Sequence, residues 1–155
     1  MDEYKALNRK WLMSDTKSLQ EFADSSPFIK HLGVNVIESN EGHVKMTMKV
    51  QPFFSNTQGM VHGGVLSSFA DIAGGFAVIT KLKEGQITRT MQMDIHYLAP
   101  ARGLILVAIA NVSKIGSLLS VSDVEIKDES EKVSAMARCT YVVVETGKDD
   151  ILLDK

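Results

Sequence analysis

The stretch N-T-Q-G-M-V-H-G-G-V-L-S-S-F-A-D, residues 56–71, joins a polar loop to a strongly apolar helix. Gly63 and Gly64 stand where the helix is predicted to begin, and Asp71 follows two turns later. Backbone N–H groups at a helix start lack partners within the helix and favour nearby negative charge. A carboxylate among apolar helix residues is costly unless it has a partner or a task. The stretch therefore predicts an electrophile-stabilising helix start and a candidate base.

The helix that begins at Gly63 is apolar around most of its circumference up to Lys83, which is typical of a buried helix. Its small residues, including Gly74 and Gly75, would let a sheet approach closely. Six strands are predicted, over residues 31–37, 43–50, 88–97, 104–113, 118–127 and 133–145. Because short separators join the last three, those strands should be antiparallel neighbours. We predict an α+β fold in which one antiparallel sheet wraps around a long central helix.

The 155-residue chain is long enough for one domain with a substantial core. Its formal net charge of −2 argues against general binding to nucleic acid or to an anionic membrane. Cys139 is the single cysteine, so no disulfide can form within the chain. We expect a cytoplasmic protein, because the sequence shows neither a signal-peptide segment nor a membrane-spanning apolar run.

The sequence divides into three predicted parts. Residues 1–26 form an N-terminal helical extension, residues 27–146 the main domain, and residues 147–155 a C-terminal tail. The extension is predicted to be an amphipathic helix over residues 3–23, which ends before Pro27. A single sheet curled around one helix leaves a face or an edge uncovered, and oligomerisation commonly covers it.

An ordered series of motifs across residues 27–144 resembles the hotdog-fold thioesterases of the phenylacetic-acid-degradation (PaaI-like) type. The series consists of Pro27-Phe28, Leu32-Gly33, Asn56-x-x-Gly59-x-x-His62-Gly63-Gly64, Asp71, Thr90, Tyr97-Leu98-Ala99-Pro100-Ala101 and Lys114-x-Gly116. The resemblance implies a hotdog fold, a homodimer that often doubles to a homotetramer, and hydrolysis of acyl-CoA thioesters. It implies no separate cofactor, since coenzyme A is part of the substrate.

The resemblance also implies roles for particular residues. Gly63 corresponds to the oxyanion N–H donor and Asp71 to the catalytic carboxylate. Asn56 and His62 correspond to groups that position the thioester or the attacking water, and Thr90 takes the place of a Ser or Thr near the acid. The implied coenzyme A region comprises Tyr97, Leu98, Ala99, Pro100, Ala101, Arg102, Lys114, Gly116 and Ser117.

Each candidate also has a purely structural interpretation. Asp71 could be a helix acid that faces water, the glycine pair could form a tight turn, and Asn56 could close a loop. His62 could cap the helix, and Thr90 could be an ordinary strand residue. Cys139 is a possible nucleophile, but its alternate neighbours in a predicted strand favour a core position. The four histidines show no metal-ligand spacing, so no metal site is expected.

The spacing of Gly63 and Asp71 bears on how a site could be assembled. Eight residues along a helix correspond to about 12 Å. One thioester carbon therefore cannot lie about 3 Å from a Gly63 donor and also meet a water held by the same chain's Asp71. Two antiparallel copies of the helix would bring the start of one to the middle of the other. We predict sites shared between the subunits of a homodimer, two per dimer.

The sequence leaves three functions open. Acyl-CoA thioester hydrolysis is the first, with Asp71 acting either as a base or as a nucleophile. The second is a hotdog protein that binds acyl-CoA or another small ligand without turnover, although a pure binder has no need of a buried acid. The third is a dehydratase, although the Asp/His arrangement usual in hydratases of this fold is not found. An apolar or aromatic acyl group is expected from the predicted pocket walls Phe53, Phe54, Met60, Phe76 and Met91.

Overall fold

The long apolar helix packs against one face of a six-stranded antiparallel sheet in the computed structural model, which describes residues 15–145. The elements in chain order are α1 (Thr16–Ser25), α2 (Pro27–Leu32), β1 (Val34–Asn40), β2 (His43–Lys49), α3 (Gly63–Ile79), β3 (Gln86–Tyr97), β4 (Ile105–Lys114), β5 (Leu119–Lys127) and β6 (Val133–Glu145). The strand order across the sheet is β1-β2-β4-β5-β6-β3. This arrangement confirms the predicted α+β hotdog fold.

Helix α3 is the centre of the core, and ten of its 17 residues are buried. It ends at Ile79, four residues before the predicted end. The reason lies in Thr80, whose Oγ1 donates to the Ala77 carbonyl at 2.7 Å and accepts the Gly42 N–H at 2.7 Å. This side chain ties the helix end to the turn between β1 and β2. Tertiary contacts rather than apolar periodicity therefore decide where the helix stops.

The predicted strand over residues 31–37 is wrong in its first part, because the chain remains helical to the end of α2. Ser26 caps this helix, with its side chain accepting the Ile29 N–H, and Pro27 occupies the first turn. Gly33 ends the helix at a φ of +69°, a conformation that suits glycine. Because Ser26, Pro27 and Gly33 fix the start and the end of α2, β1 begins only at Val34.

Helix α1 closes one edge of the sheet. Gln20 donates from Nε2 to the Val34 carbonyl at 3.3 Å and accepts the Val36 N–H at 2.7 Å, so its amide takes the place of a neighbouring strand on β1. The earlier part of the predicted extension, residues 1–14, lies outside the described residues, as does the tail over 147–155. At the opposite edge, no strand within residues 15–145 pairs with the outer side of β3.

Gly74 and Gly75 on α3 differ in the room around them. A Cβ at Gly74 would lie 2.5 Å from Tyr141 Oη and 2.6 Å from Ser122 Oγ, both of which belong to buried residues. A Cβ at Gly75 would come no closer than 3.4 Å to the Tyr141 ring. Close approach of the sheet therefore requires glycine at the first position only.

This difference predicts opposite effects for two neighbouring substitutions. We expect Gly74→Ala to lower the free energy of unfolding by about 1–3 kcal/mol, because the added methyl overpacks a full core. Gly75→Ala should leave it unchanged or raise it by up to about 1 kcal/mol, since alanine favours a helix over glycine. Urea unfolding of both variants measures the difference, and equal losses would contradict the packing described for Gly74.

Candidate active site

The carboxylate of Asp71 lies beside β3, at the uncovered edge of the sheet. Thr90 Oγ1 donates a hydrogen bond of 2.8 Å to Asp71 Oδ1. The Asp71 side chain is half-buried, and its neighbours Ala70 and Ile72 are buried. Within residues 15–145 no hydrogen bond engages Oδ2. One oxygen of the carboxylate is therefore held in place, while the other can accept a proton from water.

A β-bulge adjoins this pair. Thr90 is paired with Tyr141 on β6, whereas Gln92 is already paired with the next residue, Thr140. The extra residue, Met91, is 63% exposed. Bulges commonly re-aim side chains next to active sites. Here the bulge follows directly on the residue that holds the carboxylate.

A second cluster surrounds the start of α3. The Gly63 carbonyl accepts a hydrogen bond of 3.1 Å from Tyr97 Oη, and a Cβ at Gly63 would lie 3.2 Å from the Tyr97 ring. No hydrogen bond joins the N–H of Gly63 or of Gly64 to another described residue. These two N–H groups are free donors at a helix start. A cavity of about 340 Å³ adjoins them, lined by Asn56, Met60, Val61, Gly63, Leu66, Tyr97, Leu98, Ala99, Pro100 and Ala101.

The loop before α3 places two further predicted residues. Asn56 Oδ1 accepts the N–H groups of Gln58 at 2.9 Å and Met60 at 3.1 Å, so this side chain does close the loop. It lines the cavity as well. His62 occupies the N-cap position of α3, but its side chain makes no capping hydrogen bond and is exposed. The capping interpretation of His62 is therefore wrong.

Within one chain the two clusters lie apart. Thr90, which holds Asp71, is paired with Tyr141, and Tyr97, which covers Gly63, is paired with Ala135. Tyr141 and Ala135 lie six positions apart on β6, which corresponds to about 20 Å of strand. The separation along the sheet thus agrees with the separation along the helix. One chain does not offer its own Gly63 and Asp71 to the same reacting carbon.

The residues of the predicted coenzyme A region are also divided. Tyr97 to Ala101 line the cavity at the start of α3, and Arg102 is the exposed residue that follows them. Lys114 is the last residue of β4, and Gly116 and Ser117 belong to the turn that follows it, between β4 and β5. Since β4 separates this turn from Arg102, the two segments lie about 30 Å apart at opposite ends of one sheet.

The predicted pocket walls separate into core and surface residues. Phe54 and Phe76 belong to the core, and the Phe76 ring centroid lies 5.5 Å from that of Phe22. Phe53 is exposed and stacks against His31, with ring centroids 5.6 Å apart. Of the five predicted residues, Met60 lines the cavity at the start of α3.

Two other kinds of chemistry considered from the sequence find no matching arrangement in residues 15–145. Cys139 is fully buried, and burial raises the pKa of its thiol to about 11, so it is the core residue that the strand alternation predicted. In this part of the chain no three His, Cys, Asp or Glu residues are grouped to hold a metal ion. Among the helices described, none has the length and hydropathy to cross a bilayer.

Tyr141 is a residue of this site that sequence reasoning missed. Its Oη donates a hydrogen bond of 2.8 Å to the backbone carbonyl of Asp71. The only signal in the sequence is indirect, namely an aromatic residue in a strand and the pair Gly74-Gly75 in the helix it meets. That signal indicates close packing, not proximity to Asp71.

A family model described as the thioesterase superfamily matches residues 58–135, half of the chain. The chain belongs to the thioesterase superfamily. The matched segment runs from the loop before α3 into β6 and contains both Gly63 and Asp71. Family membership supports thioester hydrolysis as the general chemistry.

Individual relatives agree with this family. The chain is 26% identical over 137 residues to the medium/long-chain acyl-CoA thioesterase YigI of Escherichia coli, covering 79% of this chain and 88% of YigI. The PaaI protein from the phenylacetic acid degradation operon of E. coli superposes with a TM-score of 0.75 at 28% identity, covering 81% and 90% of the two chains. A Haemophilus influenzae thioesterase shares the fold with a TM-score of 0.81 at 24% identity, covering 88% and 95%. The expected PaaI-like hotdog thioesterase is thereby confirmed.

Proposed function

We propose that this protein hydrolyses acyl-CoA thioesters to a free acid and coenzyme A. The observation that carries the proposal is the Asp71 carboxylate, half-buried on an apolar helix, with one oxygen held by Thr90 and the other open at the sheet edge. Hydrolysis needs a group that activates water or attacks the carbonyl carbon. A protein that only binds its ligand has no use for such a group. The similarity to an acyl-CoA thioesterase supports coenzyme A as the thiol.

In this proposal the thioester oxygen accepts hydrogen bonds from the N–H groups of Gly63 and Gly64. These donors stabilise the negative charge of the tetrahedral intermediate, and loss of one such donor typically costs about 2.7–4 kcal/mol. Asn56 and His62, which belong to the loop before α3, position the thioester or the water. They do not supply the base.

Two chemical routes use Asp71. In the first, Asp71 takes a proton from water as the water oxygen bonds to the carbonyl carbon, and the proton then passes to the departing coenzyme A sulfur. In the second, an Asp71 oxygen bonds to the carbonyl carbon and expels the thiolate, and water then opens the resulting anhydride. Both routes need the free carboxylate oxygen and the oxyanion donors.

The separation of the two clusters leads us to propose a homodimer with shared sites. β1 is covered by Gln20, whereas β3 pairs with no other described strand on its outer side. It carries exposed Met91 and Tyr97, and exposed Leu98 follows it directly. An open edge with apolar side chains favours association with another strand. A two-fold axis near the middle of β3 would place the Asp71 end of one protomer beside the Gly63 end of its partner.

The same axis accounts for the divided coenzyme A region. It would move the partner's β4–β5 turn to the end of the sheet that carries Arg102. Lys114 from one protomer and Arg102 from the other are then both available to coenzyme A phosphates. We propose that the dimer binds each substrate with residues of both chains, and that two dimers can form the homotetramer implied by the resemblance.

A substrate panel tests the proposed activity. Purified protein, in the presence of a metal chelator, should release free thiol from at least one of a set of short-chain, long-chain and aromatic acyl-CoAs. A mock purification from cells that do not express this protein measures any contaminating thioesterase. Tight binding of acyl-CoA without thiol release would favour the binding protein, and interconversion of hydroxyacyl-CoA and enoyl-CoA would favour the dehydratase.

A further inference from the structure

Tyr141 on β6 fills the space between the sheet and the turn of α3 that carries Asp71. It is 1% exposed, and its Oη donates to the Asp71 carbonyl at 2.8 Å. Burial raises the pKa of the phenol far above its usual range, so the hydroxyl keeps its proton and remains a donor. A buried phenol normally requires such a partner. The hydroxyl therefore ties the backbone of Asp71 to the sheet.

The approach of this ring depends on Gly74, three residues after Asp71. A Cβ at Gly74 would lie 2.5 Å from Tyr141 Oη, too close for both atoms to keep their places. The phenol consequently reaches the helix backbone instead of resting on a side chain. A hydrogen bond to backbone fixes the turn itself, and with it the direction in which the Asp71 side chain leaves the helix.

Tyr141 is joined to the carboxylate by a second route. In the sheet its register partner is Thr90, and Thr90 Oγ1 donates to Asp71 Oδ1 at 2.8 Å. The β-bulge at Met91 begins directly after that pair. Tyr141 thus binds the backbone of Asp71 through its hydroxyl. Its own backbone pairs with Thr90, the residue that binds the Asp71 carboxylate.

We propose that Tyr141 is a positioning residue that fixes the Asp71 carboxylate at the reacting carbon of the proposed hydrolysis. The side chain is too deeply buried to touch substrate, so it acts through Asp71 alone. The inference rests on the proposed function for its effect on turnover. Its structural part, the placement of the carboxylate, stands on the contacts of Tyr141, Thr90 and Asp71.

Tyr141→Phe removes the hydroxyl and keeps the ring. We expect kcat to fall about 10-fold, given that a displacement of about 1 Å can cost on the order of 10²-fold. KM should stay within about two-fold, because contacts common to bound substrate and transition state are unchanged. The matched control is Thr80→Val, which also removes a buried hydroxyl that donates to a carbonyl of α3. This control should lose stability without losing kcat.

A double variant distinguishes positioning from general loosening of the fold. In the Asp71→Asn background, Tyr141→Phe should change the residual turnover by less than about two-fold, because the group it positions is already disabled. If Tyr141→Phe lowers turnover equally in both backgrounds, or lowers it no more than Thr80→Val does, the proposal is overturned.

Crystal structures of the wild type and Tyr141→Phe provide a test that does not depend on activity. We expect the Asp71–Thr90 hydrogen bond to lengthen or break in the variant. An unchanged bond, with the helix in place, would overturn the positioning role even if no thioester were ever hydrolysed. A protein that shows the structural change but hydrolyses no thioester would instead refute the proposed function and leave Tyr141 as the residue that places Asp71.

Discussion

Replacing Asp71 with asparagine should lower kcat for thioester hydrolysis by at least about 10²-fold, the lower range for loss of a general base. Asparagine keeps the shape of the side chain and can still accept the hydrogen bond that Thr90 donates. It can neither take a proton from water nor attack a thioester carbon. The loss should therefore appear without a change in fold, as measured by circular dichroism and thermal unfolding.

Two controls accompany this measurement. Asp24→Asn makes the same chemical change at an exposed position on α1, and it should leave kcat unaltered. Cys139→Ala removes the buried thiol and should cost stability but not chemistry, because that thiol is inaccessible. Near-normal turnover by a well-folded Asp71→Asn protein would eliminate the proposed mechanism. A large loss of kcat in Cys139→Ala with unchanged stability would revive the thiol as a nucleophile.

The elements that could be predicted are those whose apolar residues recur with a regular helix or strand period. The start of α3 at Gly63 follows from a polar loop meeting a long apolar run, and β6 occupies Val133–Glu145, as predicted from its alternation. The short helix α2 could not be predicted in this way. Its six residues are too few to show a period, and its bounds depend on Ser26, Pro27 and Gly33.

The candidate site shows a similar division. Asp71 and Gly63 could be found because an acid on an apolar helix and a glycine pair at a helix start are unusual in themselves. The contact of Thr90 with Asp71 could be predicted only from the family resemblance, since the two residues lie 19 positions apart in the sequence. Tyr141 could not be found at all, because it binds the backbone of Asp71. A backbone carbonyl is the same whatever the residue, so no pattern of residue types records that bond.

Two inactive variants should restore activity to each other when they are combined in one dimer. The first is Asp71→Asn, and the second is Gly63→Pro, which removes the oxyanion N–H. Proline suits the backbone at this position because it begins α3, and because the preceding His62 has φ −58° and ψ 139°, the extended conformation required before proline. Its Cβ would lie 3.2 Å from the Tyr97 ring, so the ring must shift slightly, and circular dichroism and thermal unfolding must show that the variant folds. If the sites are shared, a heterodimer has one site with both defects and one with neither. Its activity should reach about half that of the wild type.

The reciprocal heterodimer makes the test decisive. A chain that carries both Gly63→Pro and Asp71→Asn is paired with a wild-type chain, and each pair is isolated through two different affinity tags. With shared sites, every site of this dimer has one defect, so it should be inactive. With sites contained in one chain, the wild-type chain would keep its own site and the dimer would be half active. The two heterodimers carry the same substitutions and differ only in their distribution between chains. Activity in the first and none in the second can therefore arise only if Gly63 and Asp71 of different subunits act on the same thioester.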